Sequence, residues 1–363
     1  MASPHPTEIG YADYLRLDQV LNAQDLQSAK VGREAHDEML FIIIHQTYEL
    51  WFKQILHEID RIQANFAHET IDDWRMGQIL HSALRVNEIL KLLVRQIDVL
   101  ETMTPQDFLE FRDLLTSGSG FQSLQFRLVE TRLGLSPEHR LLYDGTGVHS
   151  RLKAEESALL TEAENRPSLV EQLDTWLSRT PFVKAGSFAF SEAYRKAVLD
   201  FLTKDIQTLR SNQGLNADQR EAEALALEKA KTSFKALFDP EAHSDAWRMS
   251  PQAVQAALFI TVYSDRPVLH VPSRIFQTLM DIDETMTLWR YRHALMVQRM
   301  IGVKIGTGGS SGHDYLRQTA EKHRIFSDLF HLSTYLIPRS ALPALPADVE
   351  RMMGYVYAEE PAE

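Results

Sequence analysis

Apolar residues recur along this chain at helical spacing almost from end to end. From Met39 they run Ile43, Tyr48, Trp51, Phe52, Ile55, Ile59 and Ile62. Such steps place them on one broad face of a helix of about seven turns. A second stretch reads Leu80, Leu84, Ile89, Leu93, Ile97 and Leu100. Thr104-Pro105 stops and restarts the pattern, proline being suited to a first helical position, and Phe108, Phe111, Leu114 and Leu115 continue it. Period-two segments are almost missing, which argues against a sheet.

The rest of the chain follows the same rule. Ser117-Gly118-Ser119-Gly120 breaks the pattern, a helix is expected over 121–133, and glycines and Pro137 mark a loop over 134–150. Two short charged helices are expected over 151–180, broken near Pro167. A polar amphipathic pair is expected over 190–236, turning at Gly214-Leu215-Asn216. Ser250-Pro251 reads as a cap followed by a first-turn proline. Pro267 and Pro272 are expected to bracket an extended piece, with one long helix from Pro272 to Ile301 and a last one over about 314–335. The expected fold is all-α: a single helical domain over 1–363, carrying a more charged helical insertion over about 137–245.

Composition narrows the function. The absence of cysteine excludes a thiolate zinc site, an iron–sulfur cluster and a thiol nucleophile. A net charge of -12 argues against a general nucleic-acid binder. No apolar run approaches the ~20 residues that span a bilayer, and no basic-then-apolar leader opens the chain. A cytoplasmic protein is therefore expected, without nucleic-acid or membrane partners. Among the 14 histidines there is neither an HExxH nor an ExxH spacing, so dinuclear carboxylate and zinc-protease sites lose support.

Single histidines on helices remain. His45 interrupts the apolar run of FIIIHQTYELWF, with Phe41 one turn before it. Taken alone it reads as well as a core histidine satisfied by a partner. His293 sits in TLWRYRHALMVQRMIG between Trp289 and Val297. An apolar helix face with one imidazole is what a haem needs on its proximal side, although most helical histidines bind nothing. The stretch GTGGSSG (306–312) can bend freely and offer amides to an anion, or be a plain surface loop. Arg112, between aromatics in DFLEFRDLL, offers a planar fork for a carboxylate, or a stem lying over the core.

Together the blocks YADYLRLDQVLNAQ (11–24), HDEMLFIIIHQTYELWFKQILHE (36–58), FRDLLTSGSGFQSLQFRLVE (111–130), WRYRHALMVQRMIGVKIGTGGSSG (289–312) and LSTYLIPR (332–339) resemble the tryptophan 2,3-dioxygenase family, in the family's order. The resemblance implies a haem b in each subunit, ferrous when active, with His293 as the axial ligand of the iron. It implies His45 as the distal histidine, Phe41 as the residue lining the indole pocket, and Arg112 as the receiver of the substrate carboxylate. Phe108 stands where some members have tyrosine, keeping the wall without the hydroxyl. Ser119 matches the serine near the haem, and Thr307 the threonine of the glycine-rich lid. Tyr11, Tyr14 and Leu15 match residues that a neighbouring subunit inserts into the pocket, usually within a homotetramer. The implied reaction takes L-tryptophan and O2 to N-formyl-L-kynurenine, the first step of the kynurenine pathway. A related haem enzyme acting on another indole, and a non-catalytic haem-based sensor, are the rival readings.

Overall fold

The computed structural model describes residues 9–115, 122–141, 147–186, 188–239, 247–302 and 312–354. The protein is all-α. In chain order the helices are α1 (Tyr11–Leu15), α2 (Leu17–Val20), α3 (Gln27–Lys30), α4 (His36–Phe66), α5 (Asp73–Leu100), α6 (Pro105–Leu109), α7 (Leu124–Leu133) and α8 (Ala154–Glu164). They continue with α9 (Leu169–Leu177), α10 (Phe190–Ser211), α11 (Ala217–Leu237), α12 (Pro251–Val262), α13 (Pro267–Ile301), α14 (Gly312–Lys322), α15 (Ser327–His331) and α16 (Ala347–Met352). Two-residue strands β1 (Lys184–Ala185) and β2 (Phe188–Ala189) pair antiparallel, Lys184 opposite Ala189 and Ala185 opposite Phe188.

Local chemistry sets many of the helix starts. The Asp72 carboxylate accepts the Arg75 amide at 2.8 Å and opens α5. Thr104 and Asp107 form a reciprocal capping box ahead of α6, with Pro105 in its first turn. Ser168 with Glu171 and Asn216 with Gln219 do the same for α9 and α11. Each box satisfies amides that a helix start otherwise leaves without partners. Ser250 caps α12 as expected, and α10 and α11 turn where Gly214 stands.

Packing organises three long helices. α5 lies against both α4 and α13, and α13 also packs against α14. Ile55, Ile59 and Ile62 of α4, Ile79, Ala83 and Val86 of α5, and Ile275, Leu279 and Ile282 of α13 are all but fully buried. α12 is buried around most of its circumference, and Leu169, Leu173, Phe190 and Tyr194 from the middle of the chain join the same core. Gly134 ends α7 at φ +131°; a Cβ there would stand 2.7 Å from Cγ2 of Val170, so only glycine lets α7 and α9 approach so closely.

Three expectations need correction. The piece between Pro267 and Pro272 is helical, because α13 begins at Pro267 and carries Pro272 inside it. Pro272 forfeits one bond to the Val268 carbonyl, near a helix start where the loss is limited, and its ring is buried. The expected last helix over 314–335 is divided: α14 ends at Lys322, α15 begins at Ser327, and a 3-10 turn spans Leu332–Tyr335. The break is tertiary in origin, since the buried Asp283 carboxylate on α13 takes the Ile325 and Phe326 amides at 3.0 and 3.2 Å. The pattern through Phe108 to Leu115 is likewise a short α6 followed by a 3-10 turn, Arg112–Leu114.

Candidate active site

α4 and α13 both rest on α5 but do not pack closely on one another. Aromatic side chains bridge the space between them. Phe41, His45, Tyr48 and Phe52 recur along one stripe of α4. On α13, Trp289 and His293 are one turn apart and their rings lie parallel, 1° between planes and 5.3 Å between centroids. Trp289 meets Phe126 of α7 at 5.0 Å, Tyr48 at 6.0 Å and Phe52 at 6.4 Å. The Tyr48 hydroxyl donates to the Leu93 carbonyl at 2.7 Å, which fixes this end of the stack to α5. One turn further along each helix stand His45 and His293.

The two imidazoles are neutral at ordinary pH. Burial depresses His293 to about 4, and the neighbouring charge of His45 pushes the same way. His45 is also held below its ordinary value by burial, against the opposing pull of the Phe41 carbonyl and of Glu49. Yet His293 keeps part of its surface open and His45 is exposed. The helices that carry them meet one turn away, where Trp289 touches Tyr48 and Phe52.

Tautomers follow from the bonds. Nδ1 of His45 lies 2.7 Å from the Phe41 carbonyl, an acceptor only, so Nδ1 carries the proton and Nε2 holds a free lone pair. His293 makes no hydrogen bond among the described residues. An apolar-walled imidazole with an unused lone pair suits an iron porphyrin's axial position. Among the described residues no cluster of three His, Asp or Glu side chains offers a competing metal site.

An aromatic wall flanks His45. The Phe41 ring lies 4.1 Å from the His45 ring, 5.9 Å from Phe108 and 5.5 Å from Phe111, and Phe108 and Phe111 meet edge-on at 5.5 Å. Phe111 is fully buried, whereas Phe41 and Phe108 keep an open edge. Arg112 follows Phe111 directly, half-buried in the 3-10 turn. The structure therefore brings Phe41, His45, Phe108 and Arg112 to one region of the fold, while His293 stacks on Trp289, whose ring meets Tyr48 and Phe52 of the same helix α4.

The remaining expected site residues are placed differently. Tyr11, Tyr14 and Leu15 lie on α1 and are 77%, 72% and 40% exposed. The segment after them is fastened beside His45: Gln46 donates to the Ala23 carbonyl at 3.0 Å and accepts from Gln24 at 2.7 Å. Ser119 and Thr307, with most of the GTGGSSG loop, lie outside the described residues. Phe111 was not singled out from the sequence, where it reads only as one more apolar position.

Known proteins resemble this chain along most of its length. The family model described as tryptophan 2,3-dioxygenase matches residues 4–336. A protein of Alteromonas mediterranea named tryptophan 2,3-dioxygenase is 46% identical over 350 residues, 95% of this chain and 97% of its own length. One of the same name from Bdellovibrio bacteriovorus is 47% identical over 354 residues, 96% of this chain and 99% of its own. Another from Dictyostelium discoideum is 45% identical over 354 residues, covering 96% of this chain and 88% of its own.

Proposed function

Because the chain belongs to the tryptophan 2,3-dioxygenase family, a family of oxidoreductases, we propose that it adds both atoms of O2 across the indole C2=C3 bond of L-tryptophan. The product is N-formyl-L-kynurenine, at the head of the kynurenine pathway. The observation that supports this reading is the aromatic cluster in which Trp289, stacked on His293, meets Tyr48 and Phe52 of the helix that carries His45, beside the wall of Phe41, Phe108 and Phe111.

His293 would hold a haem b in each subunit, ferrous when active, which would supply the binding and activation of O2. The protein's residues do the rest. Phe41 gives the indole a flat apolar face, and Phe108 and Phe111 keep that face rigid. The His45 Nε2 lone pair accepts the indole N–H and fixes the ring's orientation. A neutral imidazole is far too weak a base to remove that proton outright, so His45 orients rather than ionises the substrate. Arg112 receives the carboxylate as a charge-assisted fork. By resemblance, Thr307 and Ser119 hold the amino-acid end. The wall and the carboxylate clamp act together, so that the C2=C3 edge is presented in one orientation. The indole double bond and the O–O bond break, two carbonyl groups form, and no external reductant is consumed.

The exposed α1 supports the remaining assignments. Tyr11, Tyr14 and Leu15 enter a neighbouring subunit's pocket within a homotetramer, where their apolar surface is covered. No helix of the described residues is long and apolar enough to cross a membrane, and the chain works in the cytoplasm as one domain with 137–245 as a helical insertion. Arg112→Ala tests the carboxylate clamp. It should raise KM for L-tryptophan at least tenfold with haem still bound, as expected when a charged hydrogen bond worth about 1.5–3 kcal/mol is lost. An unchanged KM refutes the clamp.

A further inference from the structure

Glu130, in the second turn of α7, is 1% exposed and carries a charge in the protein's interior. Its carboxylate accepts from Arg127 at 2.8 Å and from Arg290 of α13 at 2.9 Å, and Nδ1 of His323 lies 3.7 Å away. Nε2 of His323 accepts the Leu141 amide at 3.1 Å, so the ring proton sits on Nδ1, the nitrogen turned to Glu130. Arg290, 3% exposed, also donates to the His323 carbonyl at 3.3 Å. One carboxylate thus joins α7, α13 and the segment that ends α14. Burial opposes its ionisation, but Arg127, the neighbouring His323, Arg290 and Arg140 overcome that and hold it well below the usual carboxylate range.

Stability alone is a poor reason for such a network. A buried ion pair is often no more stabilising than apolar residues of the same volume, whereas breaking one is costly. What it supplies is a fixed position. Arg290 precedes His293 by three residues on the same face region of α13. A rotation of α13 by about 10° would carry a ring nitrogen ~5 Å from the axis by nearly 1 Å, more than a site of this kind tolerates. The other polar tether in this turn, Arg292 to Asp98 and Glu101, is partly solvated, and such pairs hold weakly. Asp283 fastens α13 to 325–326, but almost three turns earlier.

We propose that Glu130 is a positioning residue for the reaction: through Arg290 it sets the rotation of α13, and with it the place where His293 presents its ring. The inference rests on His293 being the haem ligand. The probe is the iron–histidine stretching band of the ferrous, haem-loaded protein, read by resonance Raman spectroscopy together with the rate of haem release. Glu130→Gln keeps the shape and removes the charge. It should shift or split the band and speed haem release by about tenfold, the effect typical of losing a residue behind a metal ligand. Arg290→Lys, which keeps the charge and loses the fork, should shift the band the same way.

The control is Asp328→Asn. Asp328 is 3% exposed and takes the Arg248 and Met249 amides at 2.8 and 2.7 Å, with no bond to α13. It should lower the melting temperature while leaving the band unmoved. An unmoved band in Glu130→Gln, or in Arg290→Lys where the first variant does not fold, overturns the inference. So does an equal shift in Asp328→Asn, which would mark general loosening. A wild-type protein without the band, or a His293→Gly variant that retains it, instead refutes His293 as the ligand.

Discussion

Replacing Trp289 by alanine removes the ring that ties α13 to α4 and α7. Trp289 contacts Phe126, Tyr48 and Phe52 at 5.0, 6.0 and 6.4 Å, besides lying parallel to His293. Truncating a fully buried tryptophan costs about 3–5 kcal/mol, and aromatic pairs of this geometry account for about 0.5–1.5 kcal/mol each. Trp289 is only partly buried, so the lower end applies, about 3 kcal/mol. Urea unfolding of the haem-free protein by circular dichroism measures this as a shift in midpoint at constant slope. Trp74→Ala is the control: at 65% exposure it should change stability by no more than about 0.5 kcal/mol. A Trp289→Ala cost below about 1 kcal/mol, or one equal to Trp74→Ala, would show that the ring stack does not hold the two helices together.

Other outcomes follow from the titrating groups. His45 must stay neutral to accept the indole N–H, and burial holds it below its ordinary value of 6.5, so kcat/KM should stay level as pH falls from 8 to 6.5 and decline only beneath that. An acid limb centred above 6.5 contradicts the role. His45→Ser should retain measurable turnover, because orientation is shared with Phe41 and Arg112; complete loss would mean His45 does more than orient. Glu38 and Glu130 have depressed carboxyls, so their stabilisation is present above the unfolded value of about 4.5 and is lost as pH falls through the folded one. Asp283, raised by burial, works in the opposite sense and offsets part of this. Thermal stability should therefore begin to decline as pH falls below about 6.5, where the desolvated neutral histidines His45, His293 and His323 take up protons only on unfolding, and fall further below about 4.5, with that lower part of the fall shallower in Glu130→Gln. An identical acid slope in that variant would argue that Glu130 is not held ionised by its arginines.

The fold was legible wherever local signals agreed. α4 and α5 follow from apolar spacing alone, and α12 from Ser250-Pro251 as cap and first-turn proline, whereas α9 and α11 were expected from the breaks at Pro167 and Gly214, their caps Ser168 and Asn216 emerging only in the structure. Pro272 misled because burial along α13 outweighs one lost hydrogen bond. The break after Lys322 has no glycine or proline to announce it; it depends on Asp283, some forty residues earlier. The same division runs through the site. Phe41 and His45 on α4, and Trp289 and His293 on α13, stand one turn apart and are visible as helical neighbours. That the two stripes face each other depends on α5 holding both helices. Glu130 reads in sequence as an ordinary charged residue on a helix, since Arg290 and His323 reach it only through the packing of α7, α13 and α14.

The central claim is tested most directly with haem-loaded, pre-reduced protein given L-tryptophan and ¹⁸O₂, followed by mass spectrometry of the products. The account predicts formylkynurenine with both labelled atoms from a single O2. Haem-replete protein that yields no doubly labelled product would contradict it, and would point to another indole substrate or to a sensing role for the site.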